Sequence, residues 1–171
     1  MTSIVKAKEE DFQLLAGIGK TSFIESHGHS AKAADINRYL HEKYSDETIK
    51  DELADPKNIY LILYHQGQPA GYSKIIMNSP HPAIPLKNVA KLERLYLLKE
   101  FYGLKLGDKL FARNLELARD NKQSGMWLFV WKENHRATGF YRKEGFKIIG
   151  SYDFQLTETH SNPNHHMFLE F

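Results

Sequence analysis

One stretch of the chain leaves little freedom of architecture. Residues 91–98 read as a strand; Leu106, Leu110, Phe111, Leu115, Leu117 and Ala118 then recur mainly at three- and four-residue steps, as an amphipathic helix requires. Residues 126–131 follow as an unbroken apolar run that suits a strand covered on both faces. Strand, helix and strand in this order predict a right-handed crossover joining two parallel strands. The chain must therefore fold as an α/β protein.

The rest of the pattern fits around that unit. Residues 3–8 read as a short edge strand, and Glu9, Glu10 and Asp11 put three carboxylates where a helix N-terminus favours negative charge, predicting a helix to about Ile24. Residues 30–44 predict a second helix with Ala34, Tyr39 and Leu40 inward; residues 46–53 predict a third, closed by Asp55-Pro56. Runs at 59–64 and 70–77, separated by His65-Gln66-Gly67-Gln68-Pro69, read as a hairpin, and the three prolines of 78–87 mark a loop. Asn134 can cap a last helix whose inward stripe is Ala137, Phe140 and Tyr141, and Gly145 can end it. Strands are expected at 146–156 and 165–171, around a turn-rich segment at 157–164.

Composition limits the function classes. With 171 residues, 42% of them hydrophobic, the chain can bury about 70% of its unfolded surface in one core, so one domain over 1–171 is expected. The longest apolar run, 59–64, is six residues, whereas a membrane-spanning helix needs roughly twenty. No cysteine is present, which removes disulfides and thiolate chemistry, and the opening Met1-Thr2-Ser3-Ile4-Val5-Lys6 shows no charged and then apolar leader. A cytoplasmic protein is expected. A net charge of +2 gives no concentrated basic face for nucleic acid. Its distribution is uneven: residues 35–55 carry seven acids against three bases, and residues 87–122 nine bases against five acids. These are either two solvated helical faces or an acidic rim for a cationic ligand and a basic one for an anionic ligand.

Tyr102-Gly103-Leu104-Lys105-Leu106-Gly107-Asp108-Lys109 lies between strand and helix, where backbone N–H groups attract phosphate oxygens. It is neither a Walker loop nor a Gly-x-Gly-x-x-Gly fingerprint, and two glycines also suit a plain tight turn. In context, however, LERLYLLKEFYGLKLGDKL (92–110) resembles the central signature of the GNAT acetyltransferase superfamily, a strand, a Gln/Arg-x-x-Gly-x-Gly/Ala turn and a helix. NHRATGFYRKEGF (134–146) is similar to that family's second motif, Asn-x-x-Ala-x-x-Phe-Tyr-x-Lys-x-Gly-Phe, at every fixed position. Tyr102 stands where Gln or Arg is usual, and Lys105 replaces the middle glycine. LERLYLLKEFY, WLFVWKEN and the helices before the hairpin look like the PaiA-type spermidine/spermine N-acetyltransferases within the family.

The resemblance implies a mixed, mainly antiparallel seven-strand sheet, with two central parallel strands splayed to admit acetyl-CoA. It implies direct attack of an amine on the thioester. Tyr141 would be the general acid, or else only a packed aromatic; Glu93, taken to share a face with Leu95 and Leu97, would accept the amine proton, or else only an ion pair. The Leu97 N–H would stabilise the oxyanion. Leu95, Tyr96 and Leu97 would hold the pantetheine arm and Tyr102 to Lys109 the pyrophosphate, with Asn134, Tyr141 and Lys143 contacting the cofactor. Asp35, Tyr39 and Glu42, at i, i+4 and i+7, can share a helix face toward a polyamine, or be a solvated face. The histidines form no convincing metal set, so no metal is expected. Polyamines lead the acceptor readings; amino acids, antibiotic amines and protein N-termini share the chemistry, and a non-catalytic acyl-CoA sensor is the reading from another class. A homodimer is possible, with residues 168–171 as a pairing edge.

Overall fold

The computed structural model describes residues 1–171. Its elements in chain order are β1 (Thr2–Lys6), α1 (Phe12–His27), α2 (Ala33–Lys43), α3 (Asp46–Ala54), β2 (Asn58–His65), β3 (Gln68–Ile76), β4 (Val89–Leu97), α4 (Leu106–Asp120), β5 (Gly125–Trp131), α5 (His135–Lys143), β6 (Lys147–Gln155) and β7 (Ser161–Glu170). The strands form one sheet in the order β1-β2-β3-β4-β5-β7-β6. Only β4 and β5 are parallel neighbours, joined by the crossover through α4. The mixed, mainly antiparallel seven-strand sheet is the one that the sequence implied.

Helices cover both faces. Ile59, Leu61 and Leu63 of β2 pack with Leu106, Leu110 and Phe111 of α4 and Tyr141 of α5; the alternate residues Tyr60 and Ile62 pack with Leu15, Leu40 and Ile49 from α1–α3. An unbroken apolar strand is what two buried faces demand. The hairpin between β2 and β3 is tighter than expected, because Gln66 (φ 50°) and Gly67 (φ 78°) both take positive φ, the conformation that matches a two-residue turn to strand twist.

Three local expectations are corrected. The inward stripe of α2 is Ile36, Tyr39 and Leu40, with Ala34 exposed, because two positions along a helix place Ala34 on the side opposite Ile36; the helix also starts at Ala33 rather than residue 30. Strand β7 starts at Ser161, inside the expected turn: Asn162 and Asn164 are buried there, and polar inward residues do not produce an apolar alternation. Residues 168–171 are not a sheet edge, since β7 runs between β5 and β6; the free edges are β1 and β6.

Candidate active site

The parallel pair is short. Val89 pairs with Gly125, Ala90 with Met126 and Lys91 with Trp127, and no pairing follows although β4 runs on to Leu97 and β5 to Trp131. The strands splay, and a cavity of about 620 Å³ occupies the gap. It is lined from the α1–α2 side by Phe23, His27, Tyr39 and Tyr44 and from the α5 side by Asn134, Ala137 and Tyr141, with Leu95 and Tyr96 between them. The cavity thus reaches both faces of the sheet through the gap.

The backbone of β4 is presented to this gap. Leu98 N–H donates to Ala70 O on β3 at 2.9 Å. Strand alternation then turns the Leu97 and Leu95 N–H groups the other way, toward the gap, where β5 offers no sheet partner.

A second recess of about 200 Å³ lies on the α4–α5 side, lined by Leu97, Gly103, Lys105, Leu106, Gly107, Asp108, Arg136 and Phe140. Gly103 (φ 82°) and Lys105 (φ 56°) bend the chain so that α4 starts at the recess, and no side chain caps that helix. Its first N–H groups are therefore free for an anion. Tyr102, Leu104 and Lys109 stand beside the recess in sequence but do not line it. Arg136 went unnoticed in the sequence; its guanidinium lies 3.6 Å over the Tyr102 ring. A tyrosine in the turn thus holds a cation supplied by α5. The only signal was the pairing of an unusual Tyr with an unassigned Arg 34 residues on.

Tyr141 is packed among aromatic rings and also faces the cavity. Its ring packs against Phe140 (5.3 Å between centroids), Phe146 (5.5 Å) and Phe111 (6.2 Å), and it also lines the cavity. Burial raises its phenol well above the usual value, so it stays protonated throughout the neutral range. Asn134 Oδ1 accepts from Ala137 N–H at 3.2 Å, which caps α5 while the side chain lines the cavity. Lys143 is exposed at the far end of α5 and lines neither recess.

Glu93 is not on the face of Leu95 and Leu97. The β3–β4 register slips between Lys74↔Arg94 and Ile75↔Leu92, leaving Glu93 as the extra residue of a β-bulge. Leu92, Leu95 and Leu97 pack on the α4 side, whereas Glu93 turns with Arg94 to Lys74 on the other. Lys74 Nζ contacts Glu93 Oε2 and also bonds Glu52 Oε1 at 2.8 Å; Lys91 Nζ is 3.5 Å from Glu93 Oε1. Burial alone would raise the Glu93 carboxyl, but Lys74 and Arg94 outweigh it and hold it at about 2. The ion-pair reading therefore describes its surroundings. Lys74, Glu52 and Arg94 were not assigned in the sequence, because three separate elements bring them together.

Of Asp35, Tyr39 and Glu42, only Tyr39 lines the cavity. Asp35 is half-buried outside it and Glu42 is exposed. His27 was also missed: its Nε2 lies 3.2 Å from the Tyr96 hydroxyl, Nδ1 is buried without a partner, and burial together with His29 pushes the ring down to about 4. No three His, Cys, Asp or Glu residues are placed to hold a metal ion, and no helix is long and apolar enough to cross a membrane.

Comparison with known proteins bears on this arrangement. Residues 26–146 match the model of the acetyltransferase (GNAT) family. An uncharacterized N-acetyltransferase of Lactobacillus delbrueckii subsp. lactis is 28% identical over 90% of this chain and 88% of its own. A spermidine N(1)-acetyltransferase of Thermoplasma acidophilum is 26% identical over 85% of this chain and 88% of its own. Among solved structures, a PaiA N-acetyltransferase from Thermoplasma acidophilum in complex with coenzyme A superposes with a TM-score of 0.80 at 21% identity, covering 100% of this chain and 99% of that one.

Proposed function

The chain belongs to the acetyltransferase (GNAT) family, so its chemistry is acetyl-CoA-dependent N-acetyl transfer, and on that premise we propose how its residues carry it out and on which amine. The observation that carries the reading is the gap between β4 and β5, open to both faces at the level of Leu95–Leu97. A thioester arriving along β4 from the α4 side and an amine arriving from the α1–α3 side can meet there without either displacing the other. Direct attack in a ternary complex needs that arrangement.

The recess at the start of α4 suits a pyrophosphate: free helix N–H groups, Gly107 without a side chain, and the cations Lys105 and Arg136 all converge on it. Leu95, Tyr96 and Leu97 then hold the pantetheine arm, with Asn134 on the opposite wall. The Leu97 N–H faces the developing oxyanion. Tyr141, protonated and in the cavity wall, donates its proton to the leaving sulfur. Glu93 is ionised throughout the working range and, with its pKa near 2, is a weak base; it orients a water that carries the amine proton away.

The acceptor is a small primary amine. The activity named for the Thermoplasma acidophilum relative makes a polyamine one candidate, for which Asp35 and Glu42 would be attracting charges outside the cavity. Residues 1–171 work as one catalytic domain, in the cytoplasm, and a homodimer built by strand pairing would use β1 or β6.

Tyr141→Phe tests the central assignment. Turnover should fall about a hundredfold or more, the usual worth of a positioned acid, while acetyl-CoA affinity holds. Unchanged turnover would remove Tyr141 from the chemistry.

A further inference from the structure

The charge of the cavity narrows the acceptor. Four cationic side chains line it, Lys43, Lys74, Lys91 and Arg94, against two carboxylates, Glu52 and Glu93. Both carboxylates are already engaged. Glu52 accepts from Lys74 Nζ at 2.8 Å and from the Tyr60 hydroxyl at 3.2 Å, and lies 3.5 Å from Arg94 Nη1. Glu93 is held by Lys74 and by Lys91. His27, the imidazole on this wall, is neutral at working pH and supplies no anion. The cavity therefore carries two uncompensated positive charges and offers no free carboxylate to a cation.

The cofactor's phosphates do not account for the excess. Their recess lies on the α4–α5 side, with its own cations Lys105 and Arg136. Two of the cavity cations are shaped to receive something. Arg94 lies 4.6 Å over the Tyr44 ring and spends one N–H on the Tyr60 hydroxyl at 2.8 Å, leaving Nε and Nη2 without a hydrogen-bond partner. Those two N–H groups form the fork that grips a carboxylate or phosphate in parallel. Lys91 Nζ sits over the rings of Trp127 and Phe129, at 5.1 and 5.5 Å, which holds its ammonium at the cavity wall.

We propose that the acceptor is a primary amine that also carries an anionic group, a carboxylate or a phosphate, bound by Arg94 and Lys91, rather than a polycation. A polyamine would add like charge among four cations, whereas an anion-bearing amine brings the charge that the cavity lacks. The aromatic wall of Phe23, Tyr39 and Phe154, with centroids 4.8 and 5.6 Å apart in sequence, gives an apolar part of such an amine a surface to cover. The inference rests on acetyl transfer taking place in this cavity.

Matched pairs test it: phenylalanine against phenethylamine, leucine against isoamylamine, phosphoethanolamine against ethanolamine, with spermidine beside them. Turnover is read as CoA release, and binding by calorimetry on the CoA-saturated protein. In at least one pair the anionic member should exceed both its partner and spermidine by about tenfold or more in kcat/KM, the scale of one charge-assisted contact. Lys91→Gln should collapse that preference; Lys43→Gln, at an exposed position on α2, should reduce it in the same direction. The pair that responds tells carboxylate from phosphate. Equal or better use of spermidine or of the neutral amines would overturn the inference while leaving acetyl transfer intact, as would equal binding within every pair. Selective binding of an anionic member without turnover of any amine would uphold the inference and count instead against the Tyr141 chemistry.

Discussion

Lys105 occupies a left-handed backbone conformation (φ 56°) at the start of α4, where glycine is the residue of least cost. A side chain there costs about 1 kcal/mol, and Lys105 lines the recess proposed to take the pyrophosphate, where its charge would offset that cost by binding. Lys105→Gly should therefore have effects of opposite sign: a gain in unfolding free energy of up to about 1 kcal/mol in urea titration, and weaker acetyl-CoA binding by calorimetry. A variant that kept its full acetyl-CoA affinity would make Lys105 a bystander in binding. Glu93 teaches a second lesson at this scale. Its alternation with Leu95 and Leu97 was sound arithmetic on the sequence, but the bulge opposite Lys74 and Ile75 inserted one residue and moved it to the other face. A bulge is a property of a pair of strands, so one strand's pattern cannot reveal it.

Among the elements, α4 and α5 were the most legible, since their apolar stripes, the Asn134 cap and the turn at Gly145 are local. One residue of α4 breaks the rule it otherwise obeys. Asn114 is fully buried on the inward face, where its Nδ2 donates to Ser73 Oγ of β3 at 2.9 Å and to Leu110 O at 2.8 Å. Such a bond fixes how the helix sits on β3, the strand next to β4. Asn114→Ala should cost about 1–3 kcal/mol, because it leaves the buried Ser73 hydroxyl unpaired. Adding Ser73→Ala should cost less than the sum of the two single changes, measured by denaturant unfolding. Strand β7 was the least legible element: Ser161, Asn162, Pro163 and Asn164 carry turn chemistry in sequence, and only pairing with β5 and β6 makes them a strand.

The whole molecule stores a pH dependence in buried imidazoles. His27 and His166 are both pushed down to about 4, chiefly by burial, with His29 adding to the first and His81 and Lys91 to the second. The unfolded chain, with ordinary histidines near 6.5, binds protons that the folded chain refuses, so their stabilisation is present above about pH 6.5 and is lost as the pH falls toward 4. The Glu93 carboxyl, held at about 2, adds stability that is complete above its ordinary value near 4.5 and disappears only on further acidification. The melting temperature should accordingly drop between pH 7 and 4, and His27→Gln should flatten that slope; an unchanged slope would show the ring to be free to protonate in place. At this scale the division of labour between sequence and structure is plain. The sequence by itself determined the α/β crossover, the turn ahead of α4 and the capped helix that carries Tyr141, because each rests on periodicity or spacing within one contiguous segment, and its two motifs carried the resemblance to the family. Only the tertiary structure decided where β4 and β5 part, which face Glu93 takes, that Asp35 and Glu42 stay outside the cavity, and that Lys43, Lys74, Lys91 and Arg94 leave it positive. Those are sums over side chains from α2, β3 and β4, and a charge balance in space has no image in the order of residues along the chain.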